Sequence, residues 1–427
     1  MSVTVSSMHA IEVLDSRGRP TLDVQVKLAG GASAHAGVPS GASTGSGEAV
    51  ELRDGDPARY GGLGVLTAVG NVNGEIAQTL CGRIFGHPSD LDVALLELDG
   101  TQSKSKLGAN AIIGVSMAVA RAHAISIGQP LWRALQPHDV AARLPVPHFN
   151  VVNGGAHARN ELDFQEFMIA PVGAPTLPDA IRAGADVYGR LRALLSERGL
   201  ATGLGDEGGF APELNRPEDV LRVLVQAIEE AGYRVEPAGV MIALDPAASE
   251  FCYDGAYRVA GEKLSSAEMV SYYEQLASDF PIWSLEDGMD ESDDDGWLRL
   301  TEALGHRLQL VGDDNFVTDP RRIEDAAARG VANASLIKLN QIGSVSETLE
   351  ALAVCRRVGF AAMISHRSGE TEDSFIADLA VGSGCGQLKS GAPARGERVA
   401  KYNRLIAIAQ EDPNLPYGLP AGSIRSR

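Results

Sequence analysis

The sequence predicts an α/β barrel preceded by a smaller N-terminal domain of strands and helices. Three observations carry this reading. From about residue 164 onward, short apolar runs alternate with helical stretches, the pattern of strand–helix units. Eight such runs occur, and each has an ionisable residue within it or just after its end: Glu166, Glu207, Asp245, Glu286, Asp313, Lys338, His366 and Lys389. Successive members of this series are 23 to 41 residues apart by subtraction of their numbers, the length that one strand, one helix and two loops occupy. Eight parallel strands closed into a barrel would bring their C-terminal ends, and these residues, to one face.

The elements follow in order. Residues 21–28 read as a strand and 29–31 as a turn into a second short strand. A Gly/Ser-rich loop follows over 38–47, then helical patterns over roughly 62–81 and 109–126. Pro130, Pro137, Pro145 and Pro147 interrupt the chain, which places a boundary near residue 140. The expected domains are therefore 1–139 and 140–427. The eight strand candidates are FQEFMIA, TGLGDE, VMIALD, PIWSLED, LQLVGDD, SLIKL, AAMISH and GQLKS.

Charge and cysteine usage narrow the function classes. A formal net charge of −19 argues against a nucleic acid or an anionic membrane surface as the main partner. An anionic substrate would need local positive charge from Lys, Arg or a metal. Cys81, Cys252, Cys355 and Cys385 show neither CxxC spacing nor a zinc-like cluster, which fits a reducing cytoplasm. No basic segment followed by an apolar run opens the sequence, so no secretory signal is expected. The most apolar stretch, 111–120, is too short to span a bilayer.

The strand-end residues suggest a chemistry. Asp245, Glu286 and Asp313 lie on three successive strands, and three hard oxygen donors suit Mg²⁺. The alternative is three helix N-caps, since an acid after a strand commonly fills that position. Lys338 lies in the apolar run SLIKL, where it either pairs with carboxylates or does chemistry. Burial and neighbouring cations are expected to lower its pKa and make it a base. Glu166 and Glu207 could supply the complementary acid. Together these groups suggest proton abstraction next to a carboxylate, with a metal stabilising the enolate. A lysine base working beside Mg²⁺ is an established solution to that chemistry. Arg367 and the amides of the Ser-His-Arg-Ser stretch at 365–368 suit a phosphate, although on its own the stretch reads better as a surface loop. The 37–47 loop lacks a GK[ST] motif and reads as a mobile lid or a plain flexible loop rather than a P-loop.

Over nearly its whole length the sequence resembles the enolase family. The resemblance rests on LDSRGRPT (14–21), VPSGASTG (38–45), LDGTQSKSKLGANAI (98–112), NGGAHARN (153–160), FQEFMIAP (164–171), GDEGGFAP (205–212), SLED (284–287), VGDD (311–314), LIKLNQIGS (336–344), SHRSGETEDSFIADLAVG (365–382) and KSGAPARGERVAKYN (389–403). It implies an N-terminal α+β domain capping a TIM-like barrel whose first hairpin is antiparallel. The implied activity is a reversible dehydration of 2-phospho-D-glycerate to phosphoenolpyruvate with two Mg²⁺ per site. It further implies Asp245, Glu286 and Asp313 as ligands of a first Mg²⁺, and Ser40 as a ligand joining a second Mg²⁺ to the substrate phosphate. Lys338 would be the base at C2, Glu207 the acid for the 3-hydroxyl with Glu166 supporting it, and His157 a lid histidine near the phosphate. Arg367 and Ser368 would hold phosphate and Lys389 the substrate carboxylate, with His366 and Gln165 lining the site.

The resemblance also implies a homodimer or larger assembly, with Arg17 and Glu397 as candidates for pairing across it. Plasminogen binding, known for some family members, is not expected, because neither the C-terminal residues nor 251–259 contain a lysine. Gly288, Asn315, Pro246-Ala247 and Arg159 depart from the usual family pattern, none at an expected catalytic position. Two other readings stand beside the first. One is a different metal-dependent lyase of the superfamily, or a divergent paralogue. The other is a binding protein that retains the fold.

Overall fold

A computed structural model describes residues 2–41, 45–420 and 423. Residues 42–44 of the expected lid and 424–427 of the C-terminal stretch lie outside the described residues.

The N-terminal domain begins with three antiparallel strands, β1 (Val3–Leu14), β2 (Pro20–Leu28) and β3 (Ser33–Gly37), and β4 (Ile84–Phe85) adds to the far edge of β1. In β2, Leu22, Val24, Val26 and Leu28 are buried while Asp23, Gln25 and Lys27 alternate with them, the period of a half-buried strand. The buried face meets the helix Ala109–Ser126, which is apolar on most sides and almost wholly buried. Gly114 allows that approach: a Cβ there would come within 2.6 Å of Val24. The stretch predicted as one helix over 62–81 is helical from Leu66 to Leu80, with a π-helical turn at Val72–Ile76.

In the second domain eight strands close into a barrel: β5 (Val146–Asn153), β6 (Glu166–Ala170), β7 (Met241–Asp245), β11 (Ile282–Glu286), β12 (Gln309–Gly312), β13 (Ala334–Ile337), β14 (Ala361–Ser365) and β15 (Gln387–Lys389). Between β7 and β11 runs a small antiparallel ribbon, β8 (Cys252–Tyr253), β9 (Ala256–Val259) and β10 (Glu262–Leu264).

Two corrections to the sequence reading follow. TGLGDE is not a barrel strand. It is a loop over the end of β5, held by isolated bridges Val152↔Phe210 and Leu204↔Phe210. A Cβ at Gly205 would lie 2.6 Å from Asn153 Oδ1, so the loop reaches β5 only with glycine there. The eighth strand is β5, whose His148 and Asn150 break its apolar pattern. Nor are the eight strands all parallel, because β6 pairs antiparallel with both β5 and β7. Glu166 therefore starts its strand, opposite Asp245 at the end of β7. Reversing β6 puts its first residue on the face where the other strands end.

The domains meet through polar contacts. Arg121 forks onto Asp373 at 2.5 and 2.6 Å, and Lys104 pairs with Glu347 at 2.9 Å. Asp92 accepts from the Ser346 amide at 3.1 Å and its hydroxyl at 2.5 Å. Burial pushes the Asp92 carboxyl up to about 6, against the counter-effect of Ser346 and Ser116. Its folded pKa thus lies above its ordinary value of 3.8. Between these values the folded chain holds the extra proton, so this group's stabilising contribution is complete below the ordinary pKa. It is lost as pH rises from about 4 to about 6, on the order of 3 kcal/mol. Asp92→Asn is expected to flatten that part of the stability profile. Chemical unfolding of both proteins from pH 4 to 7 checks this; parallel profiles would refute it.

Candidate active site

The barrel's chemistry gathers where its strands end. Asp245 and Glu286 close β7 and β11, Asp313 and Lys338 follow β12 and β13, His366 follows β14, and Lys389 closes β15. With Glu166 and Glu207 these form a charged cluster, every member nine-tenths or more buried except the less buried Lys338. Lys389 Nζ lies 2.8 Å from Glu286, 3.0 Å from Asp245 and 3.1 Å from Glu166. Asp313 pairs instead with Lys338 Nζ and accepts from Gln341 Nε2 at 2.8 Å.

Burial raises the Glu166 carboxyl well above its ordinary range, and Glu207 adds to the rise. Burial and Asp245 do the same to Glu286. At Glu207 burial acts upward too, but His366 and His157 outweigh it and hold the group well below its ordinary value. The two glutamates are thus driven apart, Glu166 toward the protonated form and Glu207 toward the carboxylate. His157 stands between them, 3.7 Å from Glu166 and 3.8 Å from Glu207.

For Lys338 the expected direction is reversed. Burial is the largest single influence and lowers its pKa, but the Asp313 carboxylate together with Glu286 turns the net shift upward. The sequence showed the apolar strand but not that the counter-ion would be in hydrogen-bonding contact.

A small cavity of about 20 Å³ is lined by His157, Gln165, Glu166, Glu207, Asp245, Lys338, Ser365, His366, Arg367, Ser368 and Lys389. It is room for about one water molecule, so a larger ligand needs the surrounding side chains or loops to rearrange. Glu286 and Asp313 stand one contact away, through Lys389 and Lys338. Arg367 forks onto Glu48 at 2.9 and 3.2 Å, and Ser368 Oγ is 3.5 Å from Asp206. Gln165 Nε2 is 3.5 Å from Asp245. A much larger cleft of about 980 Å³ runs along β1 and β3, but its charges are largely paired, His35 with Asp23 and Arg121 with Asp373. Size therefore does not mark the reactive site; the charge cluster does.

Ser40 is not among the residues that line the cavity. Its hydroxyl contacts Arg53 at 2.8 Å, Arg17 at 3.2 Å and Glu51 at 3.3 Å, while its backbone pairs with Gly369 beside Ser368. Arg17 and Glu397, read as charges for a subunit contact, are both paired within the chain, Arg17 with Asp15 and Glu397 with Arg395 and Arg398. The sequence reading gave no role to Asn150 or Gln341, and placed Arg398 only in a 395–398 stretch resembling a subunit contact. Asn150 donates to Glu207 Oε2 at 3.0 Å. Its only sequence signal was polarity in an otherwise apolar strand.

The donor set fits a hard divalent cation. Its atoms are carboxylate oxygens, and Glu286 Oε2 and Glu166 Oε2 are buried with no hydrogen-bond partner. Such orphaned acceptors are costly unless a cation or donor meets them. Two compact groups of possible ligands occur among the described residues, His157–Glu166–Glu207 and Asp287–Asp313–Asp314. In the second, Asp287 already accepts the amides of Asp313 and Asp314 at 2.8 and 3.0 Å.

A buried lysine and carboxylate cluster on the C-terminal face of a barrel, beside a separate N-terminal domain, defines an α/β-barrel protein with a metal-compatible acidic site. Residues 141–415 match the family described as "Enolase, C-terminal TIM barrel domain", and residues 5–135 match "Enolase, N-terminal domain". The chain belongs to the enolase family.

Proposed function

We propose that the protein catalyses the Mg²⁺-dependent interconversion of 2-phospho-D-glycerate and phosphoenolpyruvate. The observation that carries this reading is one cavity lined by Lys338, the Glu166–Glu207 pair, Arg367 with Ser368, and Lys389. Lys338 takes the proton from C2, and Glu207 with Glu166 provides the acid for departure of the 3-hydroxyl. Arg367 and Ser368 hold the phosphate, Lys389 the carboxylate, and His157 covers the site. Asp245, Glu286 and Asp313 hold one Mg²⁺, and Ser40 joins a second once its segment moves. When bound, the metal supplies positive charge to the enolate that forms when C2 loses its proton. Lys338 acts as a base only after its pairing with Asp313 is loosened, and a cation competing for Asp313 would do that.

The exposed Ile11 and Leu14 on β1 support assembly into a dimer or larger oligomer through that edge. No helix among the described residues is long and apolar enough to cross a membrane.

The deciding experiment follows phosphoenolpyruvate absorbance as it forms from 2-phospho-D-glycerate, with and without Mg²⁺. Turnover that needs Mg²⁺ is expected. Turnover of an acid sugar instead would move the chain to another lyase of the superfamily, and no turnover with intact Mg²⁺ binding would favour a binding protein. Metal binding has its own test. Glu286→Gln removes a charge from the acidic set and is expected to weaken Mg²⁺ affinity about 10- to 100-fold. Calorimetric titration checks this, and unchanged affinity would remove Glu286 from the ligand set.

A further inference from the structure

Arg398 lies in the first turn of the helix Gly396–Glu411 and is completely buried. Its guanidinium ties together separate parts of the site. Nη1 donates to His366 Nδ1 at 2.5 Å and to the Arg367 carbonyl at 2.6 Å. Nη2 donates to the carbonyls of Ser368 at 2.5 Å and Asp206 at 3.1 Å, and to Ser16 Oγ at 3.4 Å. Nε lies 3.4 Å from Glu397 Oε1. The two Nη groups are matched in this way, which a buried guanidinium needs to be tolerated.

These contacts settle where the His366 proton lies. Arginine has no acceptor and keeps its proton, so the ring nitrogen that it faces must be bare. Nδ1 is then the acceptor, and the proton of a neutral ring belongs on Nε2. Burial keeps the ring neutral by holding its pKa down to about 3. Nε2 lies 3.1 Å from Glu207 Oε2 without forming a hydrogen bond in this arrangement, and Asn150 Nδ2 donates to that oxygen at 3.0 Å. Asn150 thus holds Oε2, and the Nε2–H of His366 lies beside it. Oε1 lies 3.8 Å from His157, and Glu207 lines the cavity.

We propose that Arg398 is a positioning residue that fixes His366 as the Nε2–H tautomer. Through that ring it holds Glu207 Oε2 as an acceptor and leaves Oε1 as the oxygen that exchanges a proton with substrate. The kinetic half of this proposal rests on the function proposed above; the tautomer half does not. A merely structural arginine would need only the three carbonyl bonds that hold the 205–207 and 366–368 loops.

Nitrogen-15 NMR of the wild-type protein with labelled histidine tests the tautomer directly. An unprotonated Nδ1 and a protonated Nε2 are expected for His366 at neutral pH. A proton on Nδ1 would overturn the proposal, whatever the activity. Arg398→Lys keeps the charge but loses the fork. It is expected to give a mixture of His366 tautomers and to lower kcat about 10²-fold, the scale of a misplaced acid–base group, with KM changed far less. Repeating the substitution in a His366→Ala background separates positioning from scaffolding. If Arg398 acts through His366, its effect on kcat largely disappears there; an undiminished loss would overturn the proposal. Should the lysine variant fail to fold, the wild-type tautomer still decides. A chain that shows the Nε2–H tautomer but no turnover of 2-phospho-D-glycerate would fail the functional reading and not this one.

Discussion

Lys338→Ala is expected to reduce phosphoenolpyruvate formation by about 10⁴-fold and to abolish exchange of the C2 proton with solvent. A positioned proton-transfer group contributes about 10²–10⁴-fold, and no other lysine lines the cavity except Lys389, which three carboxylates hold. The fold is expected to survive. Lys338 follows β13 rather than lying in its ladder, and its amide bond to Thr318 Oγ1 at 2.9 Å does not depend on the side chain. Removing the ammonium leaves Asp313 with Gln341 as its remaining direct partner. Mg²⁺ affinity should therefore be kept or raised, since a competing cation has gone. Exchange measured in deuterated water, beside calorimetric Mg²⁺ titration and circular dichroism, checks all three points. C2 exchange persisting near the wild-type rate would show that another group is the base.

Much of this arrangement was legible in the sequence because strand ends carry chemistry in a barrel. Seven strand candidates lie where β6, β7 and β11 to β15 form, and their end residues meet in one cluster. The failures share a cause. Inward positions of β5 are polar because they face the site: His148 pairs in register with Lys389, and Asn150 reaches Glu207. A search for apolar runs passes over such a strand. TGLGDE was taken in its place because Glu207 does belong to the cluster, although a loop delivers it. The strand pattern alone did not show direction, since Glu166 reaches the same face from either the start of an antiparallel strand or the end of a parallel one; the antiparallel first hairpin came from the family resemblance, and β5 and β6 form it.

The electrostatic misreading of Lys338 has a similar origin. Burial is legible in an apolar run, but the identity of the nearest counter-ion is set by barrel register. Val311 and Gly312 of β12 pair with Ala334 and Ser335 of β13, which carries Asp313 and Lys338 off adjacent strand ends and into contact. The roles of Arg398 and Asn150 depend on contacts between residues far apart in the chain. No local pattern distinguishes a buried arginine in a helix's first turn from a surface one.

Glu207→Gln is expected to separate the two halves of the reaction. The amide is close in shape to the carboxylate, so contacts with Asn150 and His366 can be largely retained, while the charge and the proton-carrying oxygen are lost. Lys338 is untouched, and no direct bond joins it to Glu207 among the described residues. C2 exchange should therefore stay within about tenfold of wild type, while phosphoenolpyruvate formation falls by about 10²–10⁴-fold. The sign of the electrostatic change supports this split. Glu207 adds to the upward shift of Glu166, so neutralising it removes a negative charge from that pair and lets Glu166 release its proton more readily. The variant loses one acid–base group and detunes the other, both on the hydroxyl side of the reaction. Measuring exchange and dehydration on the same preparation makes the comparison internal. Equal losses in both steps would mean that Glu207 acts on proton abstraction too, and the division of labour between Lys338 and the glutamate pair would have to be abandoned.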